Sequence, residues 1–220
     1  MDNNKATGAF LFAGVSQFLV MLTIAETQFP GYSVALNYIS DLGLWSYPSA
    51  IIFNTSVALN GVFVLAAGYL VIAKFGWRIQ GLLLALSGMG AVGVGFFNEL
   101  VLVPHAIFAM MAFVGSAAAA IAFSRRLRGF MGLAGIALGR ASLLALFAML
   151  AGFDFGLGPG GIERMVMYPS LIFSFGLGGY FLAGQENRGL KDLGQGLKNQ
   201  KTSHGALHIL RSWPSFSLKP

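Results

Sequence analysis

The sequence has no cysteine and very few charged residues. The absence of cysteine among 220 residues excludes disulfides, thiolate nucleophiles and thiolate metal sites. Only 10% of the residues are charged and 56% are hydrophobic, whereas about a quarter of the residues of a soluble globular domain are charged. A soluble fold could not bury so much apolar surface, so the composition indicates a membrane protein.

Long apolar stretches recur along the chain, each close to the roughly 20 residues that a helix needs to cross a bilayer. They predict an all-α, polytopic membrane helix bundle of about six transmembrane helices. The stretches lie near residues 8–27, 50–73, 79–97, 105–123, 130–152 and 165–184.

Lys and Arg are missing from every second connection, near 28–49, 98–104 and 153–162. By the positive-inside rule these connections are outer loops, and both termini are cytoplasmic in a multi-pass protein of the cell membrane. We therefore expect a transmembrane domain over 1–184, followed by a basic, largely flexible cytoplasmic tail over 185–220. This distribution explains the formal charge of +6 without a nucleic-acid partner.

The carboxylates show the opposite distribution, since five of the eight lie at or near the predicted outer ends of the spans. Acidic residues contribute little to topology, so insertion alone does not explain this bias. We interpret it as one outward-facing acidic and polar cavity within the membrane. The five are Glu26, Asp41, Glu99, Asp154 and Glu163.

The first outer connection alternates polar and apolar residues at helical spacing over 32–43. This pattern predicts an extra short interfacial helix on the outer side, with Asn37 and Asp41 on one face. Ser40 lies beside them. The alternative is a solvated loop helix capped by Ser40 or Asp41.

Three further candidates come from the ends of the spans. Glu99 follows the third span and His105 opens the fourth, so we expect them at a similar membrane depth, where ionisable residues are candidates for function. Asn54 opens the second span and is costly in lipid unless it is hydrogen-bonded. Structural hydrogen bonding is the alternative for His105 and Asn54.

The last outer loop leads into Glu163 and Arg164, with Tyr168 one turn further on. We expect Glu163 and Arg164 in the first turn of the sixth span. Arg164 is the one cation on the outer side, and it has several carboxylates to choose from. A structural ion pair and a role in substrate binding both remain open for it.

The motifs Asn37-Tyr-Ile-Ser-Asp-Leu-Gly43, Phe53-Asn54 with Gly61, Glu99 with His105, and Glu163-Arg164-Met165 with Tyr168-Pro169 resemble an uncharacterised six-span family, domain of unknown function 998. The resemblance covers roughly residues 8–184. Asn98 stands where the family pattern has proline. The resemblance implies a six-span fold and one shared set of motif residues: Asn37, Ser40, Asp41, Asn54, Glu99, His105, Glu163, Arg164 and Tyr168.

Three functions remain open. The first is a membrane enzyme acting on a lipid or another membrane-associated substrate, with catalytic groups that double as ligands for a divalent Ca²⁺, Mg²⁺ or Zn²⁺ ion. These groups are Asp41, Glu99 and His105. The substrate-binding residues would then be Asn37, Ser40, Asn54, Glu163, Arg164 and Tyr168.

The second function is a non-catalytic assembly or sensor protein that binds a lipid, an ion or a protein through the same cavity. The third is a transporter, which is disfavoured because the inner halves of the spans carry few polar residues. In each case membrane lipids surround the protein. A membrane-protein partner or a second copy could pack on the glycine-rich helix faces.

Overall fold

The computed structural model describes residues 3–210, with side chains described over 5–184. Within that range the regular secondary structure is all helical, and there is no strand. The helices are α1 (Asn3–Thr27), α2 (Ser49–Phe75), α3 (Arg78–Phe96), α4 (Leu102–Ser124), α5 (Phe130–Leu150) and α6 (Gly158–Leu210). Each contains a stretch long and apolar enough to cross a membrane. The predicted six-span, all-α membrane fold is confirmed.

Helix α6 begins seven residues before the apolar stretch that predicts it, at Gly158 rather than 165. Gly158 has a φ of 75°, and Pro159 follows at a position where its fixed φ suits a first helical turn. Glu163 and Arg164 therefore lie in the second turn of α6, and their expected place in the first turn is wrong.

The α1–α2 segment, residues 28–48, does not form the interfacial α-helix expected over 32–43. It consists of turns and a short 3-10 helix at Ser40–Gly43. A continuous helix would use its backbone groups internally, but α6 occupies three of them. The Ala35 carbonyl accepts from the Gly160 N–H at 2.9 Å, the Val34 carbonyl accepts from Arg164, and the Ile39 N–H donates to Glu163.

Helices α2 and α3 approach each other closely through glycine. A Cβ on Gly61 would lie 2.6 Å from the Gly88 carbonyl oxygen, and a Cβ on Gly88 would lie 2.7 Å from that of Gly61. Glycine is required here because the two backbones are in contact. The glycine-rich face of α5 packs on α4 in the same way at Gly135 and Gly139. A second copy or partner on such faces stays a prediction.

The two ends of the bundle differ in chemistry. The acidic end is formed by residues 28–48, 97–101 and 151–157, and the basic end by residues 76–77 and 125–129. An aromatic cluster of Phe75, Trp77, Phe123, Phe173 and Phe181 packs next to the basic end. These rings fill the interior of that end with apolar side chains.

The chain divides into two compact units, Met1–Leu182 and Ala183–Pro220. In the second unit the backbone is helical to Leu210, the side chains from 185 onward are outside the described part, and residues 211–220 are outside the described residues altogether. The basic cytoplasmic tail over 185–220 therefore stays a prediction.

Candidate functional site

The guanidinium of Arg164 holds the α1–α2 segment against α6. Its Nη2 donates to the Glu26 carboxylate at 2.7 Å and to the Tyr32 hydroxyl at 2.8 Å. Its Nη1 donates to the carbonyls of Val34 at 2.9 Å and Gly160 at 3.0 Å. Arg164 is 6% exposed. Both terminal nitrogens are used inside the protein, so the structural ion pair is formed and a substrate would have to displace these contacts.

Tyr32 completes this arrangement. Its hydroxyl accepts from Arg164 and donates to the Tyr38 carbonyl at 3.2 Å, and its ring lies under the guanidinium, 5.7 Å from ring centroid to Cζ. Burial raises the pKa of the Tyr32 phenol to about 12. The phenol therefore stays protonated and can donate at any physiological pH.

Glu163 makes the second attachment of this segment. Its side chain is buried, and its Oε2 accepts a hydrogen bond from the Ile39 N–H. A buried carboxyl group is costly unless it is hydrogen-bonded, and the Ile39 N–H supplies this hydrogen bond. Glu163 also lines the central cavity described below, so it connects the segment to the interior of the bundle.

The carboxyl groups of Asp41 and Glu99 lie together at the acidic end of the bundle. The Asp41 and Glu99 side chains are within hydrogen-bonding contact of each other. The Ser40 hydroxyl donates to Glu99 at 3.0 Å, and the Asn37 amide donates to Asp41 at 3.0 Å. Burial, followed by the adjacent Asp41, raises the pKa of the Glu99 carboxyl from 4.5 to about 7. The Glu99 carboxyl can therefore carry a proton near neutral pH.

His105 does not join that pair. Its Nδ1 lies 2.8 Å from the Phe97 carbonyl oxygen, which makes Nδ1 the protonated donor. No hydrogen bond or ion pair in the described part of the chain connects His105 with Asp41 or Glu99. Among residues 5–184 no three His, Asp or Glu side chains are placed to hold a metal ion. The predicted metal site of Asp41, Glu99 and His105 is therefore not supported.

The turn before His105 is built by Asn98, the residue that departs from the family pattern. Its side-chain Oδ1 accepts from the Leu100 N–H at 3.1 Å, and its carbonyl accepts from the Val101 N–H at 3.0 Å. The asparagine therefore forms the turn by hydrogen bonding and leaves the Glu99 carboxyl at the acidic end.

Asn54 and Tyr168 contact the site from the interior of the bundle. The Asn54 amide donates to the Gly43 carbonyl at 3.0 Å and ties α2 to the end of the 3-10 helix. Ser49 adds a similar bond to Leu42 at 2.9 Å. Tyr168 packs against the apolar core beneath the segment. The Asn54 amide nitrogen thus has a packing role, whereas its Oδ1 has no hydrogen-bond partner within the described residues, so ligand binding by Asn54 stays a prediction.

A cavity of about 90 Å³ lies inside the bundle between α1, α2, α3, α4 and α6. It extends from His105 to Ser116 along α4, roughly 16 Å at the rise of an α-helix. Its polar lining residues are Ser40, Asn60, Ser87, His105, Ser116, Glu163, Ser170 and Ser174. Its apolar ones are Val15, Phe18, Ile39, Phe53, Val57, Val64, Leu84, Ala91, Val94, Ala109, Ala112, Phe113, Met167 and Leu171.

This cavity differs from the one predicted. Its walls are mostly apolar, and Glu163 is the one carboxylate among its described lining residues. Asp41 and Glu99 lie outside the lining, next to Ser40. The sequence interpretation therefore placed the acidic residues at the correct end of the bundle but not around a single polar cavity.

Polar groups deeper in the cavity were not predicted as site residues. Asn60 is 7% exposed, and its Oδ1 has no hydrogen-bond donor within the described part of the protein. The Ser87 hydroxyl donates to the Ala112 carbonyl at 3.1 Å, and Ser170 and Ser142 pair at 2.8 Å. The four-residue spacing of Ser170 and Ser174 was the available signal, because it places both on one face of α6.

Comparison with known proteins adds the family. A model described as "Protein of unknown function (DUF998)" matches residues 12–180. No curated protein and no solved structure matches the chain.

Proposed function

Since the chain belongs to the DUF998 family of membrane proteins, whose description names no activity, we propose from its own geometry that it binds a small amphiphile with a hydrogen-bonding head in the central cavity. We place the acidic end on the outside of the cell membrane and the termini in the cytoplasm. The concentration of Lys and Arg in the connections of the opposite end supports this orientation.

The observation that carries the proposal is the closed lower end of the cavity. Val64 and Leu84 line its deep part, and both belong to the apolar cluster that includes Phe123 and Phe173 and fills the bundle toward the basic end. A cavity that ends against packed apolar side chains suits a bound molecule. Among residues 5–184 we find no polar path that continues from its lower end, which disfavours a transporter.

The polar lining favours an occupant with a hydroxyl or amine group. Glu163 presents a carboxyl group at the upper end, and its oxygens accept hydrogen bonds from hydroxyl and amine donors. Deeper in the cavity the Asn60 Oδ1 accepts no hydrogen bond within the described residues. A buried polar group without a partner costs about 1–3 kcal/mol, and an occupant with a hydroxyl group would recover part of that cost.

The size of the cavity limits the ligand. An apolar cavity of about 150 Å³ accommodates a benzene ring, and this one measures about 90 Å³. A two-chain phospholipid does not fit within it. A short alkanol, a short alkylamine or the hydroxyl-bearing end of a single-chain amphiphile matches both the volume and the apolar walls.

Binding of short alkanols and alkylamines to the purified protein in micelles tests the proposal. Ala109 lines the cavity and Ala106, on the same helix, is exposed, so Ala109→Leu and Ala106→Leu are matched variants. We expect Ala109→Leu to lose ligand-induced thermal stabilisation while Ala106→Leu keeps it. Equal stabilisation of both variants, with both folded, would contradict the proposal.

A hydrolase is the second candidate, and the Asp41–Glu99 pair favours it. Two carboxyl groups that share a proton can act as general base and general acid toward one water molecule. Mass spectrometry of vesicles containing ester and amide lipids, incubated with the protein, would detect products. Product formation by the wild type that is lost in Asp41→Asn and retained in Ala106→Leu would establish hydrolysis. If no product forms with any of these vesicles, the hydrolase candidate is contradicted.

A further inference from the structure

A second recess lies at the basic end and shares no lining residue with the central cavity. It has a volume of about 530 Å³ and is lined by Arg78, Arg125 and Arg126 together with Ile79 and Gln80. Arg78 begins α3, and the other two arginines follow the end of α4. Three guanidinium groups from two helix ends therefore face one depression.

The three arginines are exposed, and none of them has a carboxylate partner among residues 5–184. The ion pair found within residues 5–184 is Arg164 with Glu26, at the opposite end. The connections at 74–80 and 124–130 contain no Asp or Glu. Guanidinium groups gathered without a counter-charge repel one another, and an anion between them would relieve that repulsion.

The recess is held in shape by two contacts. Gln80 is 4% exposed, and its side-chain amide donates to the Ala122 carbonyl at 2.9 Å, which ties the start of α3 to the end of α4. The Arg126 guanidinium lies over the Trp77 ring, 5.8 Å from its centroid, and cation–π stacking of this kind orients the group. The arginines are thus displayed from a rigid base.

The backbone at the start of α3 adds hydrogen-bond donors that also favour an anion. The N–H groups of Ile79 and Gln80 belong to the first turn of α3, where no intrahelical acceptor is available. The positive end of the helix dipole lies there as well. Both features favour an anion in the recess, and they supplement the three arginine side chains.

The position of the recess at the end of the spans indicates where the anion comes from. Ile79 is 63% exposed and Leu82 is 62% exposed, so apolar side chains continue from the recess along the outside of α3. Phosphate oxygens match the planar donor fork of arginine. We propose that this recess binds the phosphate headgroup of an anionic phospholipid, whose chains lie against α3.

The experiment is lipid binding to the purified full chain in phosphatidylcholine nanodiscs, with phosphatidylglycerol titrated in. Loss of one charged hydrogen-bonding partner weakens binding about tenfold, so we expect that loss for Arg78→Gln and for Arg126→Gln. Arg128→Gln is the matched control, because Arg128 is exposed on the same connection but does not line the recess. We expect it to bind within about twofold of the wild type, as a diffuse surface charge does.

Three binding results would overturn the proposal, and one further variant controls for folding. Equal weakening in Arg128→Gln, or equal binding of phosphatidylcholine, would overturn the site. Competition by inorganic phosphate as strong as that by the lipid would overturn the lipid as its ligand. The Arg78→Lys variant is the control for misfolding, because it keeps the positive charge. It should unfold at the wild-type temperature but bind phosphatidylglycerol less tightly than the wild type does.

Discussion

Replacement of Arg164 by methionine tests how the acidic end is held together. The change removes four hydrogen bonds at once, to Glu26, Tyr32, Val34 and Gly160. It leaves a partly buried carboxylate without its cation and the Val34 carbonyl without its donor from Arg164, while the Gly160 carbonyl keeps its place in the helical hydrogen-bond ladder. Breaking a buried ion pair by removing one partner costs about 3–5 kcal/mol.

The expected loss lies at the lower end of that range. The Glu26 side chain is 22% exposed, so water can solvate part of its charge once Arg164 is gone. We expect Arg164→Met to lower the free energy of unfolding by about 3 kcal/mol. Tyr32→Phe removes only the hydroxyl between Arg164 and the Tyr38 carbonyl and should cost about 1 kcal/mol.

Unfolding of the protein in mixed micelles measures the change in its free energy of unfolding. Amide hydrogen exchange shows which residues lose protection. In Arg164→Met the amides of residues 28–48 should exchange faster than in the wild type, while those in the middle of α2 should keep their protection. A double-mutant cycle with Glu26→Gln should show coupling between the two side chains. A loss of stability below about 1 kcal/mol with purely additive effects would refute the reasoning.

Two more predictions concern the carboxyl pair and the glycine contact. The pKa of Glu99 is raised from 4.5 to about 7, so the folded state favours the protonated form of this carboxyl group. Stability should therefore fall as pH rises from about 4.5 to about 7, and Glu99→Gln should flatten that dependence of the unfolding midpoint. Gly61→Ala places a Cβ 2.6 Å from the Gly88 carbonyl and should cost about 1–3 kcal/mol. Gly179→Ala, which meets open space, should unfold like the wild type.

The site was predictable in part. Asn37 with Asp41 and Ser40 with Glu99 lie together as the clustering of polar motif residues suggested, and their hydrogen bonds show it. His105 was grouped with them on membrane depth alone. Its ring turns to the Phe97 carbonyl instead, because a buried imidazole takes the nearest acceptor, and depth does not specify direction around a helix.

The membrane fold and the separation of charge were readable in the sequence, because hydropathy over 20 residues and the loop distribution of Lys and Arg depend on composition within short windows. The conformation of residues 28–48 was not. Its backbone is bonded by Gly160, Glu163 and Arg164, more than a hundred residues away. Such long-range bonds outweigh local helical spacing, and only the tertiary structure decides which backbone groups they take.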